Sequence, residues 1–244
     1  MVCCMKCKAG GQCIENSRKV IFPGVLADKR TDKEFRNALT KLSTSKISPL
    51  IELSKFNFFK GIIVGDRRLL IDLGVMRKLL NGWVNGSLDP FPQWSSSMQH
   101  EISELLIEMK FPSEISHKLR SLNLLSIWKA DELCTFLHYG SIAVLKHRIS
   151  NEAYQHFKLF YCAITFLSSK AYEQHWEYAG QLLEEFVKKF STIYDKYHLT
   201  TNVHNLLHIT AEVRKYGPLS SISSYPFEEK FQNIRDLVTK MDGF

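Results

Sequence analysis

Residues 151–167 read NEAYQHFKLFYCAITFL, and their spacing sets Ala153, Phe157, Phe160, Tyr161 and Ile164 on one face of a helix. A stripe this rich in aromatic rings is read as core. It needs partners of the same kind, and the flanking sequence supplies them. Tyr172–Tyr194 carries Tyr178, Leu182, Phe186 and Phe190 four residues apart, and Val203–Val213 repeats the pattern in a shorter form.

Upstream, Trp128–Lys146 has the same period. From Ser97 onward, Ile102, Leu105, Leu106 and Met109 form another apolar stripe that ends before Pro112. Leu69–Val84 reads as an apolar helix, preceded by a β-prone run at 61–65 (Gly-Ile-Ile-Val-Gly) and followed by the turn-forming NGSLDPFPQW. A final stripe of Phe231, Ile234, Leu237 and Val238 follows Pro226, a residue suited to a first helical turn, with Glu228 and Glu229 at the positive end of the helix. Residues 1–60 are rich in Lys, Ser, Thr, Gly and Pro and have neither period. The expectation is a mainly α chain in two parts: a loop-rich Cys-x-x-Cys segment over 1–60 and a helical region over 61–244.

The 244 residues are 45% hydrophobic and 23% charged, enough to bury one sizeable core or two small ones. Lys and Arg number 32 against 25 Asp and Glu, a net charge of +7. That balance suits a polyanion such as DNA and equally suits a solvated basic surface. Arg67, Arg68, Arg77 and Lys78 form one basic cluster around a helix and are candidate DNA contacts. Arg18, Lys19, Lys29, Arg30 and Lys33 form a second cluster in the entry segment. No apolar run is long enough to span a bilayer and the opening residues lack a secretory core, so the protein is expected in the nucleus or cytoplasm, not secreted. No membrane and no small-molecule substrate is implied.

Four of the six cysteines, Cys3, Cys4, Cys7 and Cys13, crowd one end, a metal-type distribution more than a disulfide framework. The gap between Cys4 and Cys7 lets a turn present two thiolates to one zinc ion, with Cys3 and Cys13 as further sulfur donors. Inert thiols are the alternative. His204 and His208 are four apart and share a helix face, a geometry zinc can use, but Val203, Leu206 and Leu207 beside them read as core, so packing or capping is the favoured role. Asn-Leu-Leu between the histidines excludes a His-Glu-x-x-His protease motif.

Several stretches in order resemble the transposases of CACTA (En/Spm) elements. They are Cys4-Met-Lys-Cys7 with Gly11, Val20-Ile-Phe-Pro23, Arg30-Thr-Asp32, Phe35-Arg36 and Ser48-Pro49-Leu50. Leu73-Gly-Val-Met-Arg-Lys-Leu-Leu80, Arg120-Ser-Leu122, Trp128-Lys-Ala130 and Val144-Leu-Lys146 follow. The series closes with Asn202-Val-His-Asn-Leu-Leu-His208, Gly217-Pro-Leu219 and Tyr225-Pro-Phe-Glu228.

The resemblance implies the helical insertion of an RNase H-like, DDE-type enzyme, in which three acids hold two divalent ions about 3.5–4 Å apart for DNA cleavage and strand transfer. It makes Glu228 the third catalytic acid. It places the first two aspartates upstream of Cys4, where this sequence has none, so a transposon-derived fragment without strand transfer of its own is expected. Mg or Mn would enter only if another segment supplied those acids. A co-opted DNA- or protein-binding module is the alternative. Asp66 matches an Asp-x-x-His motif whose histidine position is Leu69 here, and Ser43 and Thr44 stand where the family carries adjacent histidines. An early-helix carboxylate such as Glu228 or Asp66 also has a simpler reading as a helix-terminal acid.

Overall fold

The computed structural model describes residues 3–14, 19–25, 27–39, 49–113, 115 and 118–241. Arg18, Ser43, Thr44 and Ser48 lie outside these. The entry segment begins with a short antiparallel pair, β1 (Gln12–Cys13) and β2 (Val20–Ile21), followed by α1 (Asp32–Leu39) and α2 (Phe58–Gly61). A π-helical stretch, Arg67–Met76, runs directly into α3 (Arg77–Asn85), and α4 (Ser96–Glu108) follows. α5 (Ala130–Thr135) continues through a second π stretch, Phe136–Gly140, into α6 (Ser141–Leu145). The long elements close the chain: α7 (Asn151–Leu167), α8 (Trp176–Tyr194), α9 (Thr201–Tyr216) and α10 (Tyr225–Met241).

The fold is mainly helical, as the periodicity implies. α7 opens on Ser150, whose side chain accepts from the Ala153 amide at 3.2 Å. Its Phe157, Phe160, Ile164 and Leu167 are enclosed against Leu183, Phe186, Val187 and Phe190 of α8, and α9 adds Val203, Leu206, Ile209 and Val213 to the same core. The π stretch and α3 contribute Ile71, Val75, Met76, Leu79 and Trp83. Enclosing each such side chain contributes about 1.5–3 kcal/mol of transfer free energy toward holding the helices together.

α3 stops at Gly86, whose φ of +64° is left-handed, and a Cβ there would meet the Gln93 amide at 2.6 Å. NGSLDPFPQW is the loop expected of it.

Four expectations are corrected. The run at 61–65 forms no strand: Gly61 ends α2, and the amides of Val64 and Gly65 turn to a carboxylate instead. Entry residues 32–39 are helical, because Asp32 and Arg36 make an i,i+4 ion pair and the Thr31 hydroxyl caps the Glu34 amide. Tyr178 and Leu105, assigned to apolar stripes, are exposed, since each lies at the margin of a stripe whose centre is already filled. The last helix forms as read, but Phe227, Phe231, Ile234 and Val238 face outward, and no described element covers them.

Candidate metal centre

Two local structures bring four ligands together. In the first, the chain between Cys4 and Cys7 turns tightly: the Lys6 amide donates to the Cys4 sulfur at 3.3 Å and the Cys4 amide to the Ala9 carbonyl at 3.0 Å. Arg30 locks this turn from beneath, its Nε donating to the carbonyls of Cys4 at 2.9 Å and Cys7 at 2.8 Å. In the second, α9 projects His204, His208 and Glu212 in one column, because residues four apart stack along a helix. The turn docks on this column. Phe22 donates its amide to the Leu199 carbonyl at 2.8 Å and stacks its ring on His204 with centroids 5.1 Å apart.

Cys4 Sγ lies 3.2 Å from His208 Nε2, and Cys7 Sγ lies 3.3 Å from His204 Nε2. All four ligand atoms fall within 4.8 Å of one another. A tetrahedral ion bound at ordinary zinc distances would set each sulfur about 3.6 Å from each nitrogen, so the preformed set needs only a small expansion to admit it. Among the described residues this is the one group of three or more cysteine, histidine or carboxylate side chains with such geometry. Cys3 and Cys13 are exposed and take no part, which corrects the expectation of extra sulfur ligands. His204 and His208 therefore complete the site that Cys4 and Cys7 begin.

The electrostatics of the pair are uneven. Burial pushes the Cys4 thiol up, but hydrogen bonds with His204 and His208 and with backbone amides outweigh it and bring the group down to about 4. Cys7 is pushed up to about 11 by burial, with the neighbouring Cys4 thiolate adding repulsion. Without a cation the surroundings thus favour negative charge on Cys4 over Cys7.

A second layer supports this centre. Glu212, buried, accepts from Val64 at 3.1 Å and Gly65 at 2.7 Å and pairs with Lys6 Nζ at 2.6 Å. Lys6 also donates to the carbonyls of Phe59 and Ile62. A Cβ at Gly65 would meet Glu212 Oε2 at 2.7 Å, so a side chain there would have to displace the carboxylate that the Gly65 amide holds. Sequence reading missed Glu212. The available signal was its place four residues after His208.

The basic residues assigned to DNA do not share one surface. Arg67 is only 7% exposed. Its Nε contacts both oxygens of Asp72 at 3.0–3.2 Å, its Nη1 donates to Ser168 at 2.8 Å, and its Nη2 reaches Cys134 at 3.0 Å and His138 at 2.8 Å. It is an interior residue, and its assignment as a DNA contact is corrected. Arg77 is half-buried and donates to the Trp128 carbonyl. Arg68 pairs with Glu228 at 3.1 Å. Lys78 is half-buried and brought down to about 8 by burial and by Lys19.

Burial pushes the Asp72 carboxyl up while Arg67 pulls it back, and for Arg67 burial opposes a cation that Asp72 restores. The pair is ionised, because a guanidinium with four side-chain acceptors around it does not release its proton. Tyr225, at the start of α10, donates to Asp72 at 3.0 Å. The two π stretches flank this network: Arg67 and Asp72 lie on one, His138 on the other. In the first, the Arg77 amide reaches back five residues to the Asp72 carbonyl.

Asp66 accepts from the Leu69 amide at 2.7 Å and from the Ser224 hydroxyl at 3.1 Å, the helix-capping role. Glu228 is more than half exposed, with Arg68 as its ion-pair partner.

Fold and site together define a helical body closed by a Cys2His2 cluster. Compared with known proteins, the chain matches no family model, no curated protein and no solved structure. No described helix is long and apolar enough to cross a membrane.

Proposed function

We propose that the chain is a zinc-stapled helical module of CACTA transposase-like origin, without strand-transfer activity of its own. The observation that carries this reading is the meeting of Cys4 and Cys7 with His204 and His208. These residues belong to two of the separate motifs on which the resemblance rests, and a two-sulfur, two-nitrogen tetrahedron is a donor set that structural zinc takes. With four protein ligands the ion has no open position for substrate, so its work is to hold the entry segment against α9.

The catalytic side of the reading rests on Glu228. Its carboxylate is paired with Arg68 and lies in no cluster of acids among the described residues, whereas phosphodiester cleavage by two ions needs several convergent carboxylates. Mg or Mn chemistry would need acids supplied from elsewhere.

Elemental analysis of the purified chain is expected to give about one zinc per molecule, and with Mg or Mn and plasmid DNA no nicking should appear. Zinc below about a tenth of an equivalent would remove the staple, and nicking that vanished in Glu228→Gln would remove the inactivity. Zinc affinity should also depend on pH. Cys7 is a thiol below about 11 and must become a thiolate to bind, so each ion taken up releases a proton. Affinity should therefore rise with pH, roughly tenfold per unit over about pH 7.5–9.5. Competition with a chromogenic chelator measures it, and a flat profile would contradict the assigned protonation.

A further inference from the structure

Beside the metal centre, between α1 and α2, lies an open cavity of ≈ 650 Å3. Four cations, Arg30, Lys33, Arg36 and Lys60, line it against one carboxylate, Asp32. That carboxylate is spent. Its Oδ2 takes Arg36 Nε at 2.6 Å and its Oδ1 takes the Phe58 amide at 2.9 Å. The rest of the Arg36 guanidinium is committed to the carbonyls of Ile51, Leu53 and Phe56. Asp32 and Arg36 thus form a neutral, rigid wall. Glu34, the next nearest acid on α1, is held by Lys8 at 3.0 Å and by Thr31.

Three cations remain over. Among the described residues Lys33 and Lys60 make no ion pair, and the hydrogen bonds of Arg30 are those of its Nε to the two cysteine carbonyls. An uncompensated triple charge around a concavity attracts anions, and a guanidinium with two ammonium groups suits the several oxygens of a phosphate better than the two of a carboxylate. The cavity holds roughly twenty water volumes, more than a lone phosphate fills.

We propose that this cavity binds phosphate groups, and that its occupant is the phosphodiester backbone of a nucleic acid. The site deepens the zinc-staple reading in one respect. Arg30 is positioned by the carbonyls of Cys4 and Cys7, so the metal centre sets the geometry of the anion site. The lysines stand independently of that link.

The experiment uses the full zinc-loaded chain, a fluorescent 20-base-pair duplex of random sequence, and inorganic pyrophosphate. Lys33→Glu with Lys60→Glu, both at exposed positions, is compared with Lys118→Glu with Lys146→Glu, an equal charge change elsewhere. The cavity pair should weaken duplex binding tenfold or more, the control pair less than twofold. Loss of two phosphate contacts should lower the slope of log K against log salt by about 1.8. Pyrophosphate should compete for the wild-type chain and lose its own affinity in the cavity pair.

Equal losses in both pairs, with helicity unchanged, would overturn the proposal. Loss of pyrophosphate binding with duplex affinity intact would overturn the nucleic-acid occupant and leave a site for free phosphate compounds. Chelating the zinc should weaken pyrophosphate binding several-fold. Zinc loss without that weakening would overturn the link through Arg30, and absence of zinc from the outset would refute the staple while the lysine variants still decide the cavity.

Discussion

Asp72→Ala should destabilise the protein by about 3–5 kcal/mol, read as a shift in urea midpoint at constant slope. Arg67 and Asp72 are 8% and 0% exposed at their side chains, so removing the carboxylate strands a guanidinium inside the fold. Ser168, Cys134 and His138 offer it hydrogen bonds but no full negative charge at neutral pH, since burial pushes the Cys134 thiol up to about 11 and the His138 imidazole down to about 3. The Tyr225 hydroxyl loses its acceptor as well, which should loosen the start of α10. Replacing both partners, Arg67→Met with Asp72→Leu, should recover at least half of the loss, because no buried charge is then left unpaired, even though Tyr225 and Ser168 still lose a hydrogen-bond partner. A cost below about 1 kcal/mol for the single change would mean that water reaches Arg67.

Cys7→Ser should abolish stoichiometric zinc and detach the entry segment while the helical body survives. The core formed by α3, α7, α8 and α9 includes none of the four proposed ligands, whereas Cys4 and Cys7 belong to a small separate cluster with Ala9 and Phe22. At a free zinc concentration a hundredfold above the dissociation constant, the ion stabilises the wild type by about 2.7 kcal/mol, and that increment disappears in the variant. Limited proteolysis should then cut within residues 8–31 ahead of any cut in α7 or α8, with far-UV circular dichroism nearly unchanged. A variant that keeps its zinc, or one whose entry segment stays protected, would contradict the staple.

The helices of the body were legible because their apolar residues recur at three and four over long runs, as at Phe157, Phe160 and Ile164. The π stretches were not, since one extra residue per turn shifts the face by an amount that a 3.6-residue period cannot register. Arg67 illustrates the consequence. Next to Arg68 it reads as half of a basic patch, yet the wider turn aims it inward at Asp72 while Arg68 stays at the surface beside Glu228.

The metal ligands were each visible as a pair, Cys4 with Cys7 and His204 with His208, because spacing within a turn or a helix is local. Their joining was not visible, since no local pattern relates residues 197 positions apart. The Gly-Ile-Ile-Val-Gly run shows the same limit. Its composition suits a strand, but the acceptor its amides find is Glu212, a side chain on a distant helix.

The separation of the two half-sites also has a consequence for biosynthesis. Cysteines at positions 4 and 7 leave the ribosome well before residues 204 and 208 exist, and translating the intervening 197 residues takes about 10–40 s at ordinary elongation rates. Throughout that interval the nascent thiols have no imidazole partners. The four-ligand centre can therefore be completed only after residue 208 has emerged, long after its two thiols.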